Sequence, residues 1–264
     1  NYFPNLDDNF FYKDPYQLEK KKIYNYRKKL KFFFWSKGNE EIIKNFIITQ
    51  KIDIVIVAGF KILEESFLSL AKELTINIHP GILPENRGSS PVKWSIYLKK
   101  KRTGISIHKV SNKVDSGEIM YIKKIKLPPS INCFEAEALI NYNIPSTLNN
   151  FLNNKSFEIT KSNESKYLNF NKFKSFINFE EDFSSIEANL RALKPFTGIK
   201  YLYKDKLICI WEIKKLKKNN SVGSGLVLGK DDFGNLIVTC RDYYCKITKV
   251  LNFGKIIKLS DLNL

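Results

Sequence analysis

Two side chains raise the chemical question. Asn77 and His79 stand two residues apart at the end of an apolar run, within INIHPGILPENRGSSP (76–91), and the chain has one other histidine, His108. Side chains alternate faces along an extended strand, so residues two apart share one face and address one reacting atom together. An imidazole moves protons near neutral pH, and an amide N–H stabilises a developing oxyanion. A carboxylate beside the ring would raise its basicity, and Asp115, in the turn VDSG (114–117), is the candidate. An amide, an imidazole and a carboxylate around one carbonyl carbon is the set these residues suggest.

Such a set needs strands that end where it stands. Residues 42–48 space their apolar side chains as a helix does, and IDIVIVA (52–58) is a β-branched run that stops at Gly59. Helical spacing returns over 60–74, followed by a second strand over 75–79 that stops at Pro80. Strand, helix and strand in this order predict a βαβ unit with a right-handed crossover. Ligands bind at the carboxyl ends of parallel strands in open α/β sheets, which is where Gly59 and residues 77–79 fall. A short helix with Pro91 in its first turn, strands over 104–110 and 117–127, and a helix over 134–152 broken or kinked near Pro145 complete this part.

Beyond residue 152 the texture changes. Residues 153–178 are rich in Asn, Lys and Ser without a clean period and read as a linker. A capped helix over 184–193 precedes five short strands, at 199–203, 207–214, 224–228, 236–240 and 244–250. That spacing predicts a small β-barrel.

These residues resemble the formyltransferases that use 10-formyltetrahydrofolate. Their catalytic domain carries Asn-x-His-x-Ser-Leu-Leu-Pro-x-x-Arg-Gly, then a Thr-Gly-Val strand leading to an Asp-x-Gly turn. The matching stretches are NIHPGILPENRG (77–88) and TGISIHKVSNKVDSG (103–117), with His79 and Asp115 separated by 36 positions as the pattern leads one to expect. NLRALKPFTGIKYLYKDKLICIWEI (189–213) looks like the entry to the family's C-terminal barrel.

The resemblance implies a Rossmann-like α/β domain with a mainly parallel sheet over 1–152, a linker over 153–182 and an OB-like barrel over 183–264. It implies Asn77, His79 and Asp115 as the catalytic trio, with no metal. The folate would lie near Gly59, Phe60, Ile62, Leu83 and Val114, while Arg87 and Gly88 would shape the loop between donor and acceptor. The activity implied is formyl transfer to a primary amine, first the methionyl group of initiator Met-tRNA. The alternatives are a nucleotide-linked amino sugar as acceptor, or a non-catalytic RNA-binding relative. Two departures stand out: Gly81 replaces the usual Ser, and residues 1–39 offer no counterpart of the family's opening strand except 30–35 (LKFFFW).

Composition fits this frame. The chain has 264 residues, 43% of them apolar, enough for one large domain or two modest ones. Forty-four Lys and Arg against 27 Asp and Glu give a formal charge of +17, which favours polyanionic partners. Seven lysines fall between 200 and 218 among aromatic residues, which suits a tRNA backbone, whereas Asn86 and Trp94 look like the amino-sugar enzymes. The absence of GxGxxG or GxxxxGK argues against a dehydrogenase or kinase. Cys133, Cys209, Cys240 and Cys245 show no metal-site spacing and read as thiols, His108 as structural or merely exposed, and Trp35, Trp94 and Trp211 as packing. No apolar run reaches membrane-span length and the start is too polar for a signal peptide, so a cytoplasmic protein is expected.

Overall fold

A computed structural model describes residues 40–59, 63–153, 167–169, 174–195, 197–220 and 222–262. The possible strand at 30–35 and the folate-side residues Phe60 and Ile62 lie outside the described residues.

The first part is a layered α/β unit. Strands β1 (Ile54–Val57), β2 (Leu74–His79), β3 (Arg102–Lys109) and β4 (Ile119–Lys126) form one sheet in sequence order. Strands β1 and β2 pair in parallel, with Val57 opposite Asn77. Strand β3 runs antiparallel to β2, and β4 antiparallel to β3. The expected mainly parallel sheet is therefore corrected to a mixed one. Each strand's apolar run fixes that it is a strand but carries no direction: the β2–β3 connection also holds a helix, Pro91–Tyr97, yet delivers β3 antiparallel.

Alternation sets the layers. Val55 and Val57 pack with Ile43 and Ile47 of α1 (Glu40–Thr49) and Phe67 of α2 (Glu65–Leu68). Ile78 and Ile105 meet Val92 and Ile96 of α3 (Pro91–Tyr97) and Ala136 and Ile140 of α4 (Cys133–Asn153). Helix α2 is far shorter than the spacing over 60–74 suggests. Lys72 and Glu73 give their N–H groups to the carbonyls of Ile52 and Asp53, 2.9 and 3.0 Å, which pulls this stretch onto the start of β1. Pro145 sits inside α4 without breaking it. Side chains next to it serve the carbonyls of the neighbouring turns: Asn143 Nδ2 donates to Leu139 O at 2.8 Å and Thr147 Oγ1 to Asn143 O at 2.7 Å.

The second part begins with α5 (Phe183–Leu193), capped by Asp182, whose carboxylate accepts from Ser185 N. Strands β5 (Ile199–Tyr203), β6 (Lys206–Lys218), β7 (Val227–Lys230), β8 (Leu236–Thr239), β9 (Tyr243–Asn252) and β10 (Lys255–Lys258) follow. All pair antiparallel, in the order β5-β6-β9-β8-β7, with β10 also on β9. The sheet curls as a half-barrel around Ile199, Ile210, Leu236, Val238 and Ile247, each under 1% exposed, and α5 lays Ile186, Leu190 and Leu193 on that core. Strand β10 is the one the sequence reading misses. Cys240 and Cys245 stand as a disulfide across the turn between β8 and β9, where the sequence reading has thiols. Cys133 and Cys209 are free.

Candidate active site

The register of β2 against β3 builds the site. Asn77 pairs with His108 and His79 with Ser106, so these four side chains form two rungs of one ladder face. Across the first rung Asn77 Nδ2 lies 3.0 Å from His108 Nε2. In the second, Ser106 Oγ donates to Gly81 O at 2.7 Å and accepts from Leu83 N at 3.0 Å, which pins the loop leaving β2. Leu83 is thereby buried, away from the cleft described below.

That loop in turn fixes His79. Asn86 is buried; its carbonyl faces His79 Nε2 at 2.8 Å and its Nδ2 donates to Ser95 Oγ at 3.1 Å. A carbonyl only accepts, so Nε2 carries the hydrogen and Nδ1 presents its lone pair toward Asp115 Oδ1, 3.5 Å away. Asn86 and Trp94, taken from the sequence as hints about the acceptor, both face the interior and not the cleft wall. Gly81, where the family has Ser, is explained by crowding: a Cβ there would stand 2.9 Å from the side chains of Asn86 and Pro91 and 3.0 Å from His79 Nε2.

Asp115 reaches the same point from the β3–β4 connection. Its backbone is left-handed, φ 48°, a conformation Asp tolerates better than most residues. Gly88 N–H donates to its Oδ2 at 3.0 Å, Arg87 Nε donates to Val114 O at 2.7 Å, and Asn77 Nδ2 lies 3.4 Å from its Oδ1. Gly88 is itself clasped from beyond the α/β unit. Leu168 N donates to Arg87 O at 2.8 Å and Ser89 N to Leu168 O at 3.1 Å, and a Cβ on Gly88 would sit 2.4 Å from that Leu168 oxygen.

Burial sets the electrostatics. Desolvation of the His79 ring lowers its pKa below 6.5, and the opposing attraction of Asp115 does not restore it. Burial pushes the Asp115 carboxyl upward, but His108, His79 and the Gly88 N–H together outweigh it and hold the group below 3.8. At neutral pH the pair is an uncharged imidazole facing a carboxylate.

The trio lies in the wall of a cleft of about 550 Å³, which Gly59, Val114 and Gly88 also line, with Glu137 and Asn141 of α4 and Tyr167 farther along. The structure thus brings Asn77, His79, Asp115, Gly59, Val114 and Gly88 into one cleft, and sets Arg87 behind it. Sequence reasoning missed His108, Ser106 and Asn86 as parts of this site. The available signal was period-two alternation in β3, which puts Ser106 and His108 on one face as β2 does Asn77 and His79.

A layered α/β unit with this trio at a strand end, followed by a curled antiparallel sheet, defines a two-part fold whose first part carries the site. The chain belongs to the formyl transferase family: residues 17–133 match its formyl transferase domain and residues 169–263 its C-terminal domain. Relatives include the methionyl-tRNA formyltransferase of Finegoldia magna, 30% identical over 203 residues, 75% of this chain and 65% of the relative. That of Caldicellulosiruptor saccharolyticus is 30% identical over 223 residues, 81% of this chain and 70% of the relative. The matched part of the chain thus spans about two thirds of these relatives' length. Among solved structures, the sugar 3N-formyltransferase WlaRD, described in the presence of dTDP and 5-N-formyl-THF, shares the fold with a TM-score of 0.52 at 18% identity, over 79% of this chain and 73% of that one.

Proposed function

We propose that the protein transfers a formyl group from 10-formyltetrahydrofolate to a primary amine, and that the amine is the methionyl group of initiator Met-tRNA. The observation that carries this is the convergence of the Asn77 amide, the His79 imidazole and the Asp115 carboxylate in one cleft. The acceptor nitrogen adds to the formyl carbon to give a tetrahedral intermediate, whose collapse re-forms the carbonyl and breaks the bond from that carbon to the folate nitrogen. Asn77 Nδ2–H donates to the oxyanion. His79 has its N–H committed to Asn86, so it acts as a proton acceptor at Nδ1. The amine proton passes to His79 and Asp115 and leaves on the folate nitrogen. Gly59 and Val114 bound the side of the cleft assigned to the folate, and Arg87 and Gly88 shape the loop toward the acceptor.

The acceptor assignment rests on the relatives named for methionyl-tRNA and on the surface of β6. Lys214, Lys215, Lys217 and Lys218 are exposed along it, with Lys215 and Lys217 over the rings of Tyr243 and Tyr244 at 5.5 and 5.1 Å. Exposed ammonium groups gathered on one strand suit a phosphate backbone. We read the half-barrel as an OB-like module serving that contact, and keep the division into 1–152, 153–182 and 183–264 as a proposal. The second reading, a nucleotide-linked amino sugar, is favoured by the likeness to WlaRD. Incubation with 10-formyltetrahydrofolate and either Met-tRNA or a nucleotide amino sugar, with tetrahydrofolate release followed, tests both. Turnover with Met-tRNA supports the first reading and turnover with the sugar alone selects the second. A folded protein that turns over with no amine overturns the enzyme and leaves a non-catalytic RNA-binding relative.

A further inference from the structure

We propose that His108 is a positioning residue that sets which way the Asn77 amide points; this rests on the formyl-transfer reading above. The two residues are opposite each other in the β2–β3 ladder, and a register irregularity between Ile107 and His108 falls where β3 meets β4. The ring is buried, with Nδ1 2.9 Å from Lys109 O and Nε2 3.0 Å from Asn77 Nδ2. A carbonyl can only accept, so Nδ1 carries the hydrogen and Nε2 offers a lone pair. The group of Asn77 that meets a lone pair is its NH2, so the amide oxygen is turned away.

One Asn77 hydrogen is thus tied to His108. The other points toward Asp115 Oδ1 at 3.4 Å, a long contact that a substrate oxygen can take over. Without the Nε2 acceptor the amide is free to rotate by half a turn and present its oxygen to the oxyanion, which repels it. His79 and Asp115 are the titratable groups facing this pair, with Asp115 Oδ1 3.6 Å from His108 Nε2 and the His79 ring centroid 6.3 Å from that of His108. His108 touches no reacting atom in this arrangement; it acts through Asn77.

The test compares His108→Met, which fills the space without an acceptor, with His108→Gln, whose Oε1 stands near the place of Nε2 and accepts the same hydrogen. Steady-state rates with 10-formyltetrahydrofolate and the acceptor are measured together with the side-chain 15N–1H2 resonances of Asn77 in the ligand-free protein. His108→Met is expected to lower kcat roughly 10- to 100-fold, leave both KM values within about threefold, and move the Asn77 amide proton that bonds His108 upfield. His108→Gln is expected to recover kcat to within about fivefold of the parent and to return that proton toward its parental shift. Unchanged kcat in His108→Met overturns the proposal. So does a parallel loss of kcat, KM and thermal stability in both variants, which is what a merely structural histidine gives. If the parent protein itself shows no formyl transfer, the functional reading fails by itself. The Asn77 resonances then still decide the positioning role, which is overturned if they do not respond to His108→Met.

Discussion

His79 and Asp115 both stand in their base forms at neutral pH: the ring loses water and stays uncharged, while the carboxylate accepts from the Gly88 N–H and lies beside the Asn77 amide. The pH dependence follows with a definite sign. Activity that needs uncharged His79 is present above its lowered pKa and lost as pH falls through it, so the acid limb of kcat/KM is expected to have its midpoint below 6.5. A midpoint at or above 6.5 would show that a different group controls the limb. His79→Ala, measured beside its melting temperature, is expected to lose at least about 100-fold in kcat while remaining folded. Asn77, His79 and Asp115 were legible in the sequence because few residue types do this chemistry and their spacing matched a pattern. His108, Ser106 and Asn86 were not, because their partners belong to another strand or turn, and cross-strand register is a property of pairing and not of any single segment.

The helices and strands were legible wherever apolar spacing was clear, as in β1, β2 and β6. What eluded the sequence was strand direction, the shortness of α2 and the four-residue β10, each decided by what the neighbouring backbone offers. Two elements make testable claims. The Asp182 carboxylate accepts from Ser184 Oγ and Ser185 N at the start of α5, and these bonds, with the Lys99 ammonium nearby, hold its pKa at about 2 against 3.8. Asp182→Ala is expected to cost about 1 kcal/mol in urea unfolding. Because the folded pKa is depressed, the advantage of the parent over that variant should be full above about pH 4 and vanish as pH falls toward 2. Gly88→Ala meets the Leu168 carbonyl at 2.4 Å from a backbone at φ 113°. It is expected to weaken the hold on Asp115, with kcat falling more than Tm; a variant as active as the parent would show that the loop tolerates the shift.

At the scale of the whole molecule, charge and connection matter more than any single contact. With a formal charge of +17 and the lysines on β6, affinity for Met-tRNA should fall steeply with salt, whereas KM for the folate donor should change little. Replacing Lys214, Lys215, Lys217 and Lys218 by Ala is expected to flatten that salt slope by several units; an unchanged slope would place the tRNA elsewhere. No helix among the described residues is long and apolar enough to cross a membrane.

Leu168, drawn onto the backbone of Arg87 and Ser89, belongs by sequence to the stretch between the two parts and by contact to the candidate site of the first. The halves of this chain are therefore not interchangeable cassettes. A chimera that keeps residues through Asn153 and grafts on a foreign tail inherits Asn77, His79 and Asp115 but forfeits the clasp that steadies one of them, unless the graft brings a backbone of its own to that groove.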